Sequence, residues 1–151
     1  MSTLEELEKI DKIKSKILKY IFYKKRTERE IREKFKEIDN DILEEIIELF
    51  KENGYIDDSK YIEKSINEFI AINTLSVREV QYKLQTKGID NDLLQDYIDK
   101  NYERLQQYEL DSARKIINKK SATMEQQDIK QYLQKKGYSA ENIRQALENE
   151  E

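Results

Sequence analysis

Carboxylates are the groups in this chain whose spacing first suggests chemistry. Asp57 and Asp58 adjoin, and Asp39-Asn40-Asp41 and Asp90-Asn91-Asp92 each place two acids around an amide. Paired acids can hold a divalent cation, and the two triplets open like calcium loops. Neither triplet continues into the glycine and distant glutamate that such a loop requires. Each also stands where a helix would begin, where Asp and Asn accept hydrogen bonds from free backbone amides. Asp58 or Ser59 is therefore expected to cap a helix. Serine and threonine are present, but the chain has no histidine to activate them and no cysteine. No catalytic residue, metal ligand or cofactor is expected, and the chain is not expected to be an enzyme.

The ten tyrosines could stack on unpaired bases. Tyr20, Tyr61, Tyr82, Tyr97, Tyr108 and Tyr132 fall on apolar helical phases, however. They read as core rings with their hydroxyls at the edge.

Charge is concentrated rather than spread. The chain is 40% charged with a net charge of −4, which argues against a uniformly basic nucleic-acid binder. Residues 12–36 nevertheless carry eleven bases and three acids, and residues 37–58 carry nine acids and one base. Neutralisation between packed helices would explain this pattern, and so would a basic contact surface.

The elements that must position these groups are helices. There is no proline and there are three glycines in 151 residues, too few turn residues for a β-rich fold. No apolar run approaches the roughly 18 residues of a membrane span. The polar start MSTLEELEKI does not resemble a secretory signal. These features predict a soluble, cytoplasmic, all-α protein.

A displacement of 49 residues brings the chain onto itself. Ile31 falls on Val80 and then Ile129, Phe35 on Leu84 and Leu133, and Gly88 on Gly137. Each copy begins with an apolar helical stripe: Ile13, Ile17, Tyr20 and Ile21; then Ile62, Ile66, Phe69 and Ile70; then Tyr108, Ala113, Ile116 and Ile117. Each second helix is expected to open on a capping box, Thr27 with Glu30, Ser76 with Glu79, and Thr123 with Gln126. Gly88 and Gly137 follow lysines and are expected to take the left-handed conformation that ends a helix; Gly54 ends the third helix of the first copy. Three tandem three-helix repeats, at 4–58, 59–104 and 105–150, are predicted to form an elongated, curved array. Between Ile89 and Lys136 no glycine or proline separates the last helix of the second repeat from the first of the third.

The stretches RTEREIREKF, LFKENGYIDDSKYI, SVREVQYKLQTKGIDNDLLQDYI and IKQYLQKKGYSAENIRQAL resemble the RecX regulatory proteins of bacteria. The most specific parts are the Gly54–Asp58 turn and the second helix that ends in Lys-Gly-Ile. The resemblance runs from about residue 12 to residue 147. One departure is Ile62 after Tyr61, where the family commonly has alanine. The resemblance implies a regulator that binds the RecA recombinase along its nucleoprotein filament and modulates its ATPase and strand exchange, most often as an inhibitor. It thereby bears on DNA repair, recombination and the SOS response. Some members also touch single-stranded DNA.

The second helices offer the best candidate contact face. At 100° per residue, Arg29, Arg32 and Lys36 share one flank, and Glu30, Glu33 and Glu37 share the other. The 49-residue displacement carries the basic flank to Arg78, Gln81 and Gln85, and then to Gln127, Lys130 and Gln134. Long polar donors without acids thus recur in each copy. Lys12, Lys16 and Lys19 form a second stripe. A monomer that binds a recombinase filament is expected. A stand-alone DNA-binding repeat protein and a helical scaffold for another partner share the same features.

Overall fold

Helix punctuation organises the chain. The computed structural model describes residues 3–148, so the last residues of the expected third repeat, 149–150, lie outside the described residues. Nine helices and no strands occur among the described residues: α1 (Leu4–Tyr23), α2 (Glu28–Lys34), α3 (Asn40–Glu52), α4 (Asp58–Ile72), α5 (Val77–Thr86), α6 (Asn91–Lys100), α7 (Tyr102–Lys120), α8 (Gln126–Lys136) and α9 (Ala140–Glu148). The all-α class follows as predicted.

Stops and starts occur where the residue chemistry puts them. Gly54, Gly88 and Gly137 have φ of 80°, 90° and 93°, left-handed values that favour glycine. Asn73 ends α4 with φ 58°, in the conformation that asparagine tolerates best after glycine. The Asp39 side chain accepts from the amides of Asp41 and Ile42, and Asp90 does the same for Asp92 and Leu93. The two calcium-like triplets are therefore helix caps.

The capping boxes of α2 and α5 form as expected. The Thr27 and Ser76 side chains accept from Glu30 N–H and Glu79 N–H, each at 3.1 Å, and the glutamates reach back to the cap amides at 3.0 Å. The third box does not form. Two extra residues lengthen the turn before α8, which starts after Glu125 without a side-chain cap. Thr123 instead belongs to that turn, its amide donating to the Lys120 carbonyl at 3.1 Å. Between α6 and α7 a single residue, Asn101, breaks the helix, and its side-chain amide donates to the Tyr97 carbonyl at 2.8 Å.

The described residues group into two compact units. One runs to Tyr61 and includes Lys87–Ile89; the other comprises Ile62–Thr86 and continues from Asp90. The first unit buries Ile17, Ile31, Leu43, Ile46, Ile47, Phe50 and Ile56 together. The second contains a cluster of Leu110, Ala113, Ile117, Ile129, Leu133, Tyr138, Ile143 and Ala146. Ile31, Val80 and Ile129, which correspond across the displacement, are all 5% exposed or less.

One polar joint appears twice, once in each unit. The buried Thr27 hydroxyl, besides capping α2, donates to the Lys87 carbonyl at 2.6 Å. The Ser76 hydroxyl caps α5 and donates to the Lys136 carbonyl at 2.7 Å. Each hydroxyl ties a helix start to a carbonyl that has no partner within its own ending helix. The glycine that follows each carbonyl lies under an arginine stem. A Cβ at Gly88 would stand 2.3 Å from Arg29 Cδ, and one at Gly137 would stand 2.9 Å from Arg78 Cδ. These two glycines are thus required both by backbone conformation and by close approach. Gly54 has open space around it and is required by conformation alone.

Two stability series test this joint. Gly54→Ala should cost about 1–2 kcal/mol, the left-handed penalty alone. Gly88→Ala should cost more, and adding Arg29→Ala should recover only part of the excess, because the Arg29 Cβ that remains would still stand 2.6 Å from the new Cβ; equal costs at the two glycines would remove the steric role of Arg29. Thr27→Val removes both hydroxyl bonds at nearly constant volume. Urea unfolding should then show a loss of about 2–4 kcal/mol, the cap plus an unpaired buried carbonyl, with Thr27→Ser close to wild type.

Candidate partner-binding face

The expected basic flank begins on α2, and its three members have different surroundings. Arg29 is exposed; its stem covers Gly88 and its Nε lies 3.5 Å from Glu33. Arg32 is half-buried and committed within the first unit. Its guanidinium donates to both carboxylate oxygens of Glu44 on α3, and its Nε donates to Glu28 at 3.0 Å. Lys51 joins the same cluster through Glu28 at 2.9 Å. Lys36 lies past the end of α2, exposed and without an ion pair among the described residues.

The electrostatics follow from this clamp. The hydrogen bonds to Glu44, then to Glu28, raise the Arg32 pKa above its ordinary value. Burial works against the charge on Glu28, but hydrogen bonds from Lys51 and Arg32 outweigh it and hold the carboxyl below 4.5. The opposite charges of residues 12–36 and 37–58 thus meet in part as an ion cluster between α2 and α3, which is the neutralisation reading of that pattern.

In the second unit the corresponding residues differ again. Arg78 is exposed and covers Gly137 with its stem. Gln81 is half-buried on the wall of a closed apolar cavity between α4, α5, α6 and α7. Gln85, Gln127, Lys130 and Gln134 are exposed. The related positions Arg32, Gln81 and Lys130 therefore lie in an ion clamp, a cavity wall and an open face. Lys12, Lys16 and Lys19 are exposed on α1.

The aromatic expectation holds for some rings and fails for one. Tyr61 and Tyr108 are buried, and Tyr20, Tyr97 and Tyr132 are half-buried. Tyr108 donates to the Leu75 carbonyl at 2.5 Å, and burial pushes its pKa up to about 12. Tyr82 is 67% exposed: it sits beside the buried stripe of Val80 and Leu84, which already fills the α5 contact.

Two acids do more than the sequence suggests. Asp57, not Asp58, caps α4, accepting from Lys60 N–H at 3.1 Å. Asp58 turns instead to the start of α2 and accepts from Glu28 N–H at 2.9 Å. Glu109, 2% exposed, accepts from Val77 N–H at 3.0 Å, Ser139 N–H at 3.2 Å and Asn142 Nδ2 at 2.6 Å. One buried carboxylate thereby holds the starts of α5 and α9. A lone glutamate between Tyr108 and Leu110 gives no sequence signal for that role.

The described residues form an all-α protein, and no described helix is long and apolar enough to cross a membrane. No protein-family model matches the chain. It is 34% identical over 126 residues to the regulatory protein RecX of Lactococcus lactis subsp. cremoris (strain MG1363), covering 80% of this chain and 46% of that protein. It is 31% identical over 137 residues to the regulatory protein RecX of Staphylococcus carnosus (strain TM300), covering 87% and 51%. The crystal structure of RecX from Lactobacillus salivarius matches with a TM-score of 0.79 at 25% identity, over 94% of this chain and 96% of that one. A second crystal structure, of a regulatory protein RecX, shares the fold with a TM-score of 0.76 at 22% identity. The chain belongs to the RecX family of regulatory proteins. It spans about half the length of the curated relatives it matches first.

Asp58 supplies a pH test. Burial is the main cause that lifts its carboxyl above the ordinary 3.8, opposed by the Glu28 amide and reinforced by the Glu28 charge. The folded state therefore holds this proton longer than the unfolded state does. The contribution is full below pH 3.8 and declines as pH rises through the folded value. Asp58→Asn keeps an oxygen acceptor and removes the charge. Its urea midpoint should equal or exceed that of wild type at pH 7, with the two converging near about pH 3.5. A fall at pH 7 would show that the negative charge at the start of α2 is favourable on balance.

Proposed function

We propose that this chain binds the RecA recombinase in its nucleoprotein filament and inhibits its ATPase and strand exchange, in the cytoplasm, within DNA repair and recombination. The observation that carries the reading is the likeness to RecX regulatory proteins in sequence over 80–87% of the chain and in fold over 94%. Candidate contacts are Arg29, Lys36, Arg78, Gln85 and Lys130, all exposed, with Gln81 half-buried. Arg32 contributes by fixing α2 on α3, which sets where Arg29 and Lys36 point. The division at 4–58, 59–104 and 105–150 belongs to the same proposal: several modest contacts, one set per repeat, raise one another's effective concentration.

A second reading, contact with single-stranded DNA, is favoured by one surface of the first unit. Phe22 and Tyr23 are 66% and 83% exposed, and Phe22 meets Tyr55 edge to face at 5.7 Å. Lys24, Lys25 and Arg26 follow directly in the chain. Exposed rings beside cations suit stacked bases and phosphates.

The test is RecA-catalysed ATP hydrolysis on single-stranded DNA, titrated with this protein. The rate should fall to a plateau. Lys36→Glu combined with Lys130→Glu should shift the titration to higher protein by tenfold or more, with an unchanged melting temperature. No effect at excess protein, with no detectable binding to RecA, excludes the reading for that recombinase. Binding to bare DNA with a steep salt dependence, lost on Tyr23→Ala, would favour the second reading.

A further inference from the structure

The closed cavity of the second unit and an open groove in the same unit are one construction, 49 residues apart. Val77 and Gln81 of α5, with Leu94 and Ile98 of α6, form a trough that Leu105 and Tyr108 of α7 close, with Ile66, Phe69 and Ile70 of α4 beside them. Both closing residues are 4% exposed or less. The same displacement turns the four trough residues into Gln126, Lys130, Ile143 and Leu147, and these line a groove between α8 and α9. No described helix covers this second trough, and 480 Å³ stands open. On its rim Lys130 is exposed and has no ion pair among the described residues, whereas Arg144 is already bound to Glu141 and Glu148.

The first two turns of α1 carry the counterpart. Leu4 and Leu7 are 73% and 50% exposed, and they stand three residues apart, as Leu105 and Tyr108 do. Every residue from Leu4 to Lys9 is exposed, and the core of the first unit is first met at Ile10 and Ile13. Glu5 and Glu8 flank the two leucines and make no ion pair among the described residues. An unpartnered apolar pair with acidic neighbours thus matches an uncovered apolar trough with a free cation on its rim.

We propose that the start of α1 from one molecule docks in the α8/α9 groove of a second copy. Leu4 and Leu7 take the places that Leu105 and Tyr108 hold in the closed trough, and Glu5 or Glu8 faces Lys130. The two surfaces differ, so the contact is head-to-tail and continues into a row or a ring instead of ending at a twofold dimer. The expected monomer is then the dilute limit of a concentration-dependent assembly. The inference does not rest on the recombinase reading.

Sedimentation velocity of the full chain, from low micromolar to about 1 mM, reads this directly. The wild-type weight-average mass should rise past that of a dimer, and added salt should lower it. Leu7→Glu, which removes the plug, and Lys130→Glu, which reverses the rim, should each reduce the association at least tenfold. Leu147→Glu should do the same from the groove side. Circular dichroism establishes that each variant is folded, and Lys130→Glu, an exposed substitution, carries the groove arm if Leu147→Glu does not fold. Mixing the plug variant with a groove variant restores one intact contact, so a 1:1 dimer should form that neither makes alone. A wild-type protein that stays monomeric throughout, or a mixture that does not pair, would overturn the proposal.

Discussion

A hydroxyl that caps one helix while donating to the last carbonyl of another is the interaction on which the rest depends. It occurs at Thr27 with Lys87 and at Ser76 with Lys136. Each hydroxyl uses its lone pair and its proton at once, so neither the helix start nor the helix end is left with an unpaired group. The adjoining glycine must be left-handed for the chain to turn away there, and its missing side chain leaves room for the arginine two residues past the cap. Cap, glycine and arginine are therefore one device. In the second unit it is reinforced by Lys136, whose ammonium lies 3.5 Å from Glu79, the other half of that capping box.

Much of this device could be read in the sequence, because its parts are local. Left-handed glycines after lysine, Asp39 and Asp90 at helix starts, and the boxes at Thr27 and Ser76 each depend on residues within a few positions. What joins the parts could not be read. Thr27 and Lys87 are 60 residues apart, and nothing in a threonine says where its proton will go. The same limit hid Asp58, whose carboxylate leaves its own helix for the start of α2, and Glu109, which serves two helix starts at once. The box expected at Thr123 failed for a local reason: two added residues moved the helix start beyond it.

The candidate face was legible as a pattern but not as a set of environments. Helical phase places Arg32, Gln81 and Lys130 on the same flank of successive second helices. What each then meets is set by the element that arrives opposite. Glu44 from α3 engages Arg32, Leu105 and Tyr108 close the cavity beside Gln81, and Lys130 borders a trough that no described helix covers. The recurring sequence pattern thus carries the left-handed glycines at 88 and 137 and the burial of Ile31, Val80 and Ile129, but not what the flank side chains meet, because that depends on neighbours the pattern does not copy.

The single-residue junction at Asn101 makes tolerance of length change uneven along the chain. An α-helix turns by about 100° per residue, so one residue gained or lost between α6 and α7 would rotate Leu105 and Tyr108 away from the trough they seal. The turn between α7 and α8 has already absorbed two additional residues without disturbing the burial of Ile129 and Leu133. Insertions that separate homologous chains should therefore collect around residues 121–125 and avoid position 101.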